Sequence, residues 1–148
     1  MKTNKIYKLI FAGIIKSEYS QKKLDIDEKK CFITPNGYVG FIFIKKELPF
    51  NCEMIKNTDA KLDLLSVVKP ENLLSKTNLY FMTNLQELTR IFRNKDRKVY
   101  INTKFLSYFE DYAELYQAKD LQICVVVEKG QVVGGICPIR VLVEEDEE

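Results

Sequence analysis

Arg90, Arg93, Lys95, Arg97 and Lys98 stand within nine residues of one another, with Phe92 and Tyr100 nearby. Cationic side chains beside aromatic rings suit phosphate contact and base stacking, so these five are the candidate DNA-binding residues. The spacing of Leu85, Leu88, Ile91 and Phe92 predicts a helix over 85–93. Asn84-Leu85-Gln86-Glu87 matches a capping box at its start. Arg90 and Arg93 would then share one helix edge. The same residues also suit a plain helix C-terminus, where basic side chains complement the macrodipole.

Little else in the chain offers chemistry. There is no histidine, which removes the commonest general base and metal ligand. There is no G-x-G-x-x-G and no Walker loop. The cysteines at 31, 52, 124 and 137 form no C-x-x-C pair and have no zinc spacing. Cys124 and Cys137, inside apolar strands, read as small core residues. Asp25 and Asp27 alternate along a strand and point the same way, as a cation site would require. Lys29 and Lys30 follow at once, and solvated turn charges are the simpler reading. Glu110 and Asp111 are helical neighbours whose side chains diverge. No catalytic residue, metal or cofactor is expected, and the chain reads as a non-enzyme.

A length of 148 residues suits one domain. No apolar run reaches the roughly 18 residues of a membrane span, so no membrane is expected as a partner. The apolar stretch 9–15 is followed by Ser17-Glu18-Tyr19, not by a small-x-small cleavage site. Reduced thiols in a cytoplasm are the matching expectation. Net charge is +2, but five acids close the chain at 144–148. Without them 23 basic face 16 acidic residues, so residues 1–143 carry +7. A basic body fits nucleic-acid contact; it also fits a solvated lysine-rich surface. The acidic tail, 144–148, is expected to be disordered beside a single domain at 1–143.

The elements that must position these residues come from periodicity. Ile6, Leu9, Ile10 and Ile14 share a face and predict a helix over 4–16, weakened at Gly13. Short strands follow at 24–27, 31–34 and 38–44, with turns at Lys29-Lys30 and Pro35-Asn36-Gly37. Residues 49–78 carry the weakest pattern; Leu62, Leu64, Leu65, Val67 and Val68 suggest one buried element. A strand at 99–102 leads into an amphipathic segment with two solutions. One is a helix running on through 117; the other is a helix over 103–111 followed by a strand at 113–118. Residues 121–127 and 131–143 predict a hairpin around Lys129-Gly130, and Gly134-Gly135 a bulge or a close backbone approach. The fold class is α+β: one domain of antiparallel sheets with two or three helices on one face.

Two short motifs carry a family resemblance. Asn102-Thr103-Lys104-Phe105-Leu106 follows an Asn-x-x-(Phe/Tyr)-Leu pattern, and Cys137-Pro138-Ile139-Arg140 an apolar-Pro-apolar-Arg pattern. A weaker echo is Ile33-Thr34-Pro35-Asn36-Gly37-Tyr38, where a Thr-Asp-Gly turn would stand. With the strand–helix–strand order of residues 99–140, these resemble the bacterial DNA sliding clamp, the beta subunit of the replicative polymerase. The resemblance implies a clamp-like fold, contact with DNA, and a partner groove bordered by Leu106, Tyr108, Pro138 and Ile139. There are departures. The family's chain holds three such domains, so a ring would need this chain as a homo-oligomer. Residues 141–148 extend past the closing motif, and Glu110, Asp111 and Glu114 stand where pore helices are basic. The Arg90–Lys98 cluster would have to supply the positive surface. The implied function is a clamp-like scaffold in DNA replication, of phage or mobile-element origin. The alternative is a small interaction module or inhibitor that occupies a host replication or defence protein.

Overall fold

The structure is a computed structural model and describes residues 1–58 and 63–140. It opens with helix α1 (Thr3–Ile15), which buries Ile6, Ile10 and Gly13 on one face. Its end is a Schellman arrangement: Glu18 N–H donates to Gly13 O and Ser17 N–H to Ile14 O. Ser17 takes the left-handed conformation, φ 53°, that glycine usually fills. A meander follows: β1 (Lys22–Asp25), β2 (Lys30–Thr34) and β3 (Val39–Ile44). The β1–β2 turn is tied by Asp27 Oδ1, which accepts from the N–H groups of Lys29 and Lys30 at 2.7 Å each. A two-residue strand, β4 (Lys56–Asn57), adds in parallel to β1.

The chain then passes through 3-10 turns at Leu65–Val67 and Pro70–Asn72. A second meander forms from β5 (Ser75–Met82), β6 (Leu88–Asn94) and β7 (Arg97–Asn102). Helix α2 (Thr103–Leu106) is one turn, capped by Asn102 Oδ1 accepting from Lys104 N–H at 2.8 Å. The capping role explains the asparagine that opens the Asn102–Leu106 motif. Last come β8 (Glu114–Tyr116), β9 (Cys124–Glu128) and β10 (Gln131–Ile136).

The strands build two sheets, one of seven in the order β4-β1-β2-β3-β10-β9-β8 and one of three in the order β5-β6-β7. Every pair but β1–β4 is antiparallel. The large sheet has an internal symmetry of order. A helix followed by three antiparallel strands occurs twice, α1-β1-β2-β3 and α2-β8-β9-β10, and the two meanders join where β3 pairs with β10. This agrees with the α+β class.

Strand alternation sends side chains to two cores. One lies under the helices: Ile6 and Ile10 meet Cys31, Ile33, Phe41, Val126 and Ile136 of the large sheet, and Phe92, Val99 and Ile101 of the small one. Phe105 and Leu106 of α2 pack against the same core, so both helices cover one face. The opposite face carries Phe32, Val125 and Val127, covered by Leu64 and Val67. The buried element expected near 62–68 therefore exists as a 3-10 turn with Leu64 and Val67 inside, while Leu65 is 74% exposed. Leu62 lies outside the described residues. The N-terminal ammonium bonds the buried Glu128 carboxylate, whose other oxygen accepts Glu110 N–H at 2.8 Å, pinning the start of α1 to β9.

Two sequence expectations change. Residues 88–94 are a strand, not part of a helix over 85–93. Thr83 and Glu87 close a turn, with Gln86 at φ 61°, and β6 pairs with β5 and β7 along its length. The helical spacing of Leu85, Leu88, Ile91 and Phe92 was a coincidence: Leu85 is 82% exposed. Thr89, Ile91 and Phe92 suit a pleated surface, and ladders on both sides outweigh the local pattern. Second, the helix expected over 103–111 is only one turn, and the fork at 113–118 resolves to strand β8. Of the two expectations at Gly134-Gly135, the bulge falls just before them, at Val133, where the β9–β10 register shifts between Val132 and Gly134. A Cβ on Gly134 would collide with the Gly40 carbonyl of β3, so that glycine permits the close strand approach.

Candidate nucleic-acid interface

Because β6 and β7 are strands, the five basic residues do not share one edge. The register sets Arg93 opposite Lys98, Phe92 opposite Val99, and Asn94 opposite Arg97. Arg93 and Lys98 thus point to one face of the small sheet, and Arg90 and Arg97 to the other, with Phe92 and Val99. Lys95 lies in the turn between the strands at φ 56°, exposed.

The inward pair is occupied. Arg90 Nε donates to Thr77 O at 2.6 Å and its Nη2 to Asn78 Oδ1 at 2.9 Å. Its guanidinium stands 5.4 Å over the Tyr80 ring. These contacts fill the irregular stretch of β5 between Lys76 and Tyr80, where the pairing with β6 slips. Arg97 Nη2 donates to Gln117 O at 3.1 Å, linking β7 to the segment after β8. Both are structural ties first.

The outward set differs. Arg93, Lys95 and Lys98 are exposed, and among the described residues no carboxylate lies within ion-pair distance of any of them. On the same face, Phe81 pairs with Thr89 and Tyr100 with Ile91. The Phe81 and Tyr100 rings meet edge to face, centroids 5.7 Å apart. Phe81 was missed in the sequence; alternation through 75–82, read with 88–94 as a hairpin about Asn84, would have found it.

The four groove residues stand in different settings. Tyr108 is 6% exposed, its ring edge-on to Phe41 at 5.5 Å with Lys5 Nζ 4.7 Å above it. Burial raises its phenol above the ordinary value. Leu106 packs against the helix-side core. Pro138 and Ile139 belong to a strap between the sheets: Cys137 N–H donates to Tyr38 O, and Ile139 N–H to Tyr100 O, both at 2.7 Å.

Other chemistry is sparse. Among the described residues no three His, Cys, Asp or Glu side chains converge to hold a metal, and no helix is long and apolar enough to cross a membrane. Asp25 is paired with Lys45 at 3.1 Å and Asp27 with its own turn, so both carboxylates are spoken for. Cys124 is buried, and desolvation pushes its thiol up to about 12, which removes it as a nucleophile. A recess of about 410 Å³ lies between Ile26, Asp27, Lys30, Asp63, Leu64 and Val132; its charged groups are Asp27 and Lys30 at the β1–β2 turn and Asp63 across from them. The chain matches no family model, no curated protein and no solved structure, so nothing in those comparisons identifies a sliding clamp.

Proposed function

We propose that this chain is a non-enzymatic, clamp-like scaffold domain that contacts DNA through the outer face of its small sheet and acts in DNA replication. One observation carries the DNA contact: Arg93 and Lys98 stand directly opposite each other, exposed and, among the described residues, without a carboxylate within ion-pair distance. Like charges in that position cost stability, and a phosphate between them would offset the cost. Lys95 extends the positive edge into the turn. The repeated helix-and-meander order supports the clamp-like part of the reading.

Fluorescence anisotropy with labelled DNA over a salt series tests it. Replacing Arg93, Lys95 or Lys98 by alanine should each lower the salt slope of binding by about one unit. Undiminished binding by the triple alanine variant at low salt would remove the reading. Arg90→Ala and Arg97→Ala should instead lower the melting temperature, since their guanidinium groups hold backbone carbonyls.

A second reading, a protein-interaction module, is favoured by the β5–β6 hairpin. Leu79, Tyr80, Met82, Leu85 and Leu88 are all exposed there, an apolar concentration of the kind that marks interaction surfaces. Light scattering and DNA titration separate the two: a strict monomer without DNA affinity favours the second.

A further inference from the structure

We infer that the nucleic acid held by this face is a single strand, not a duplex. The inference rests on the DNA contact proposed above and concerns the form of the ligand. The outward face of the small sheet is mixed. Arg93 and Lys98 form its basic end, and Ile91, Tyr100 and Phe81 continue it toward the β5–β6 turn. Tyr100 lies two residues from Lys98 along β7, about 7 Å by the rise of a strand. A phosphate held by Arg93 and Lys98 therefore has an aromatic pair within reach of the base beside it.

The two ligand forms meet this face differently. A single strand offers unstacked bases, whose π-faces gain by lying on Phe81 or Tyr100 whatever their sequence. A duplex keeps its bases stacked inside and presents sugar and phosphate, so the aromatic rings would lose water without gaining a partner. Phe81 is 36% exposed, open enough to receive a base. The orthogonal contact between the rings, 73° between planes, keeps the two from stacking on each other. Charge complementarity fixes the backbone, and the rings choose the strand form.

The test compares a labelled oligo-dT strand with a blunt duplex of the same length, at low salt. The single strand should bind about tenfold or more tightly. Tyr100→Leu and Phe81→Leu should each weaken the single strand about tenfold while leaving its salt slope unchanged. Should a leucine variant melt early, ultraviolet crosslinking of the unmodified protein to an iodouracil-substituted strand replaces it; adducts should map to Phe81 or Tyr100. Equal affinity for both forms, tighter duplex binding, or adducts only elsewhere overturns the inference and leaves the basic contact standing. Binding of neither form at low salt overturns the DNA contact itself, and this inference with it.

Discussion

Arg93 and Lys98 show how a single register decides what a side chain can do. In a helix Arg90 and Arg93 would be neighbours; in β6 they face opposite sides, and only Arg93 remains available. Gly134 is decided by the same kind of geometry. Its missing Cβ leaves room for the Gly40 carbonyl and the Phe109 ring. Gly134→Ala should therefore cost about 1–3 kcal/mol, read from the midpoint of urea unfolding. The carboxylates of β1 and its turn should give a pH signature. The Lys45 ammonium holds the Asp25 carboxyl below its ordinary value, and the backbone N–H groups of Lys29 and Lys30 do the same for Asp27. A carboxyl lowered in the folded state stabilises fully above the unfolded value, and the gain is lost as pH falls through the folded one. Melting temperatures measured at pH 7 and at about pH 3 should differ less in the Asp25→Asn/Asp27→Asn variant than in the parent. An unchanged difference would mean that these contacts do not persist in solution.

At the scale of elements, turns carry more of the specification than helices do. Residues 128 to 131 close β9 onto β10 with two central residues at positive φ, Lys129 at 51° and Gly130 at 77°. That is the type I′ geometry, matched to the twist of a hairpin. Lysine is a poor occupant of the left-handed region where asparagine is a common one, so Lys129→Asn should raise stability by about 0.5 kcal/mol. The gain is small because a contact between Lys129 Nζ and the Tyr112 ring, 5.7 Å to its centroid, is given up. Thermal melts of parent and variant under one buffer condition decide the sign. The strap at 137–139 is the other deciding element. Leaving β10, it turns from Tyr38 of the large sheet to Tyr100 of the small one through the N–H groups of Cys137 and Ile139, with Pro138 between them.

For the whole molecule, the two faces of the large sheet differ in how they are covered. The helix side is closed by α1, α2 and the inner face of the small sheet, and the other by the short turn around Leu64 and Val67. The small sheet puts Phe92, Val99 and Ile101 into the core and leaves Arg93 and Lys98 exposed on its other face, where Thr89 and Asn102 are buried; the exposed end of that face carries the proposed site. Charge acts at this scale too. The five acids at 144–148, outside the described residues, oppose a body of +7. Deleting them should raise DNA affinity, more at low salt than at high, because distant charges are screened. Anisotropy titrations of the two chains at low and high salt check it; loss of thermal stability on deletion would show instead that the tail is part of the fold.

The sequence by itself determined the parts whose signal is local. Helix α1 followed from Ile6 and Ile10, the strands expected at 31–34 and 38–44 from short apolar runs between turns, and the turns from Asn36-Gly37 and Lys129-Gly130. The close approach at Gly134 followed from the absence of a side chain where a strand needs none. What only the tertiary structure decided was every case in which a local pattern fitted two structures. Leu85, Leu88, Ile91 and Phe92 satisfied a helical stripe, yet 88–94 gained ladders on both sides and buried Phe92 as a strand. The segment after Leu106 carried an apolar stripe, yet β9 had an open edge that β8 fills. The candidate site depended on that same decision. Closeness in the sequence singled out the basic residues, but which of them share a face, and that Phe81 joins Tyr100 there, is set by pairing across strands far apart in the chain. Hydrogen bonds between β5, β6 and β7 are non-local, and no window of sequence contains them.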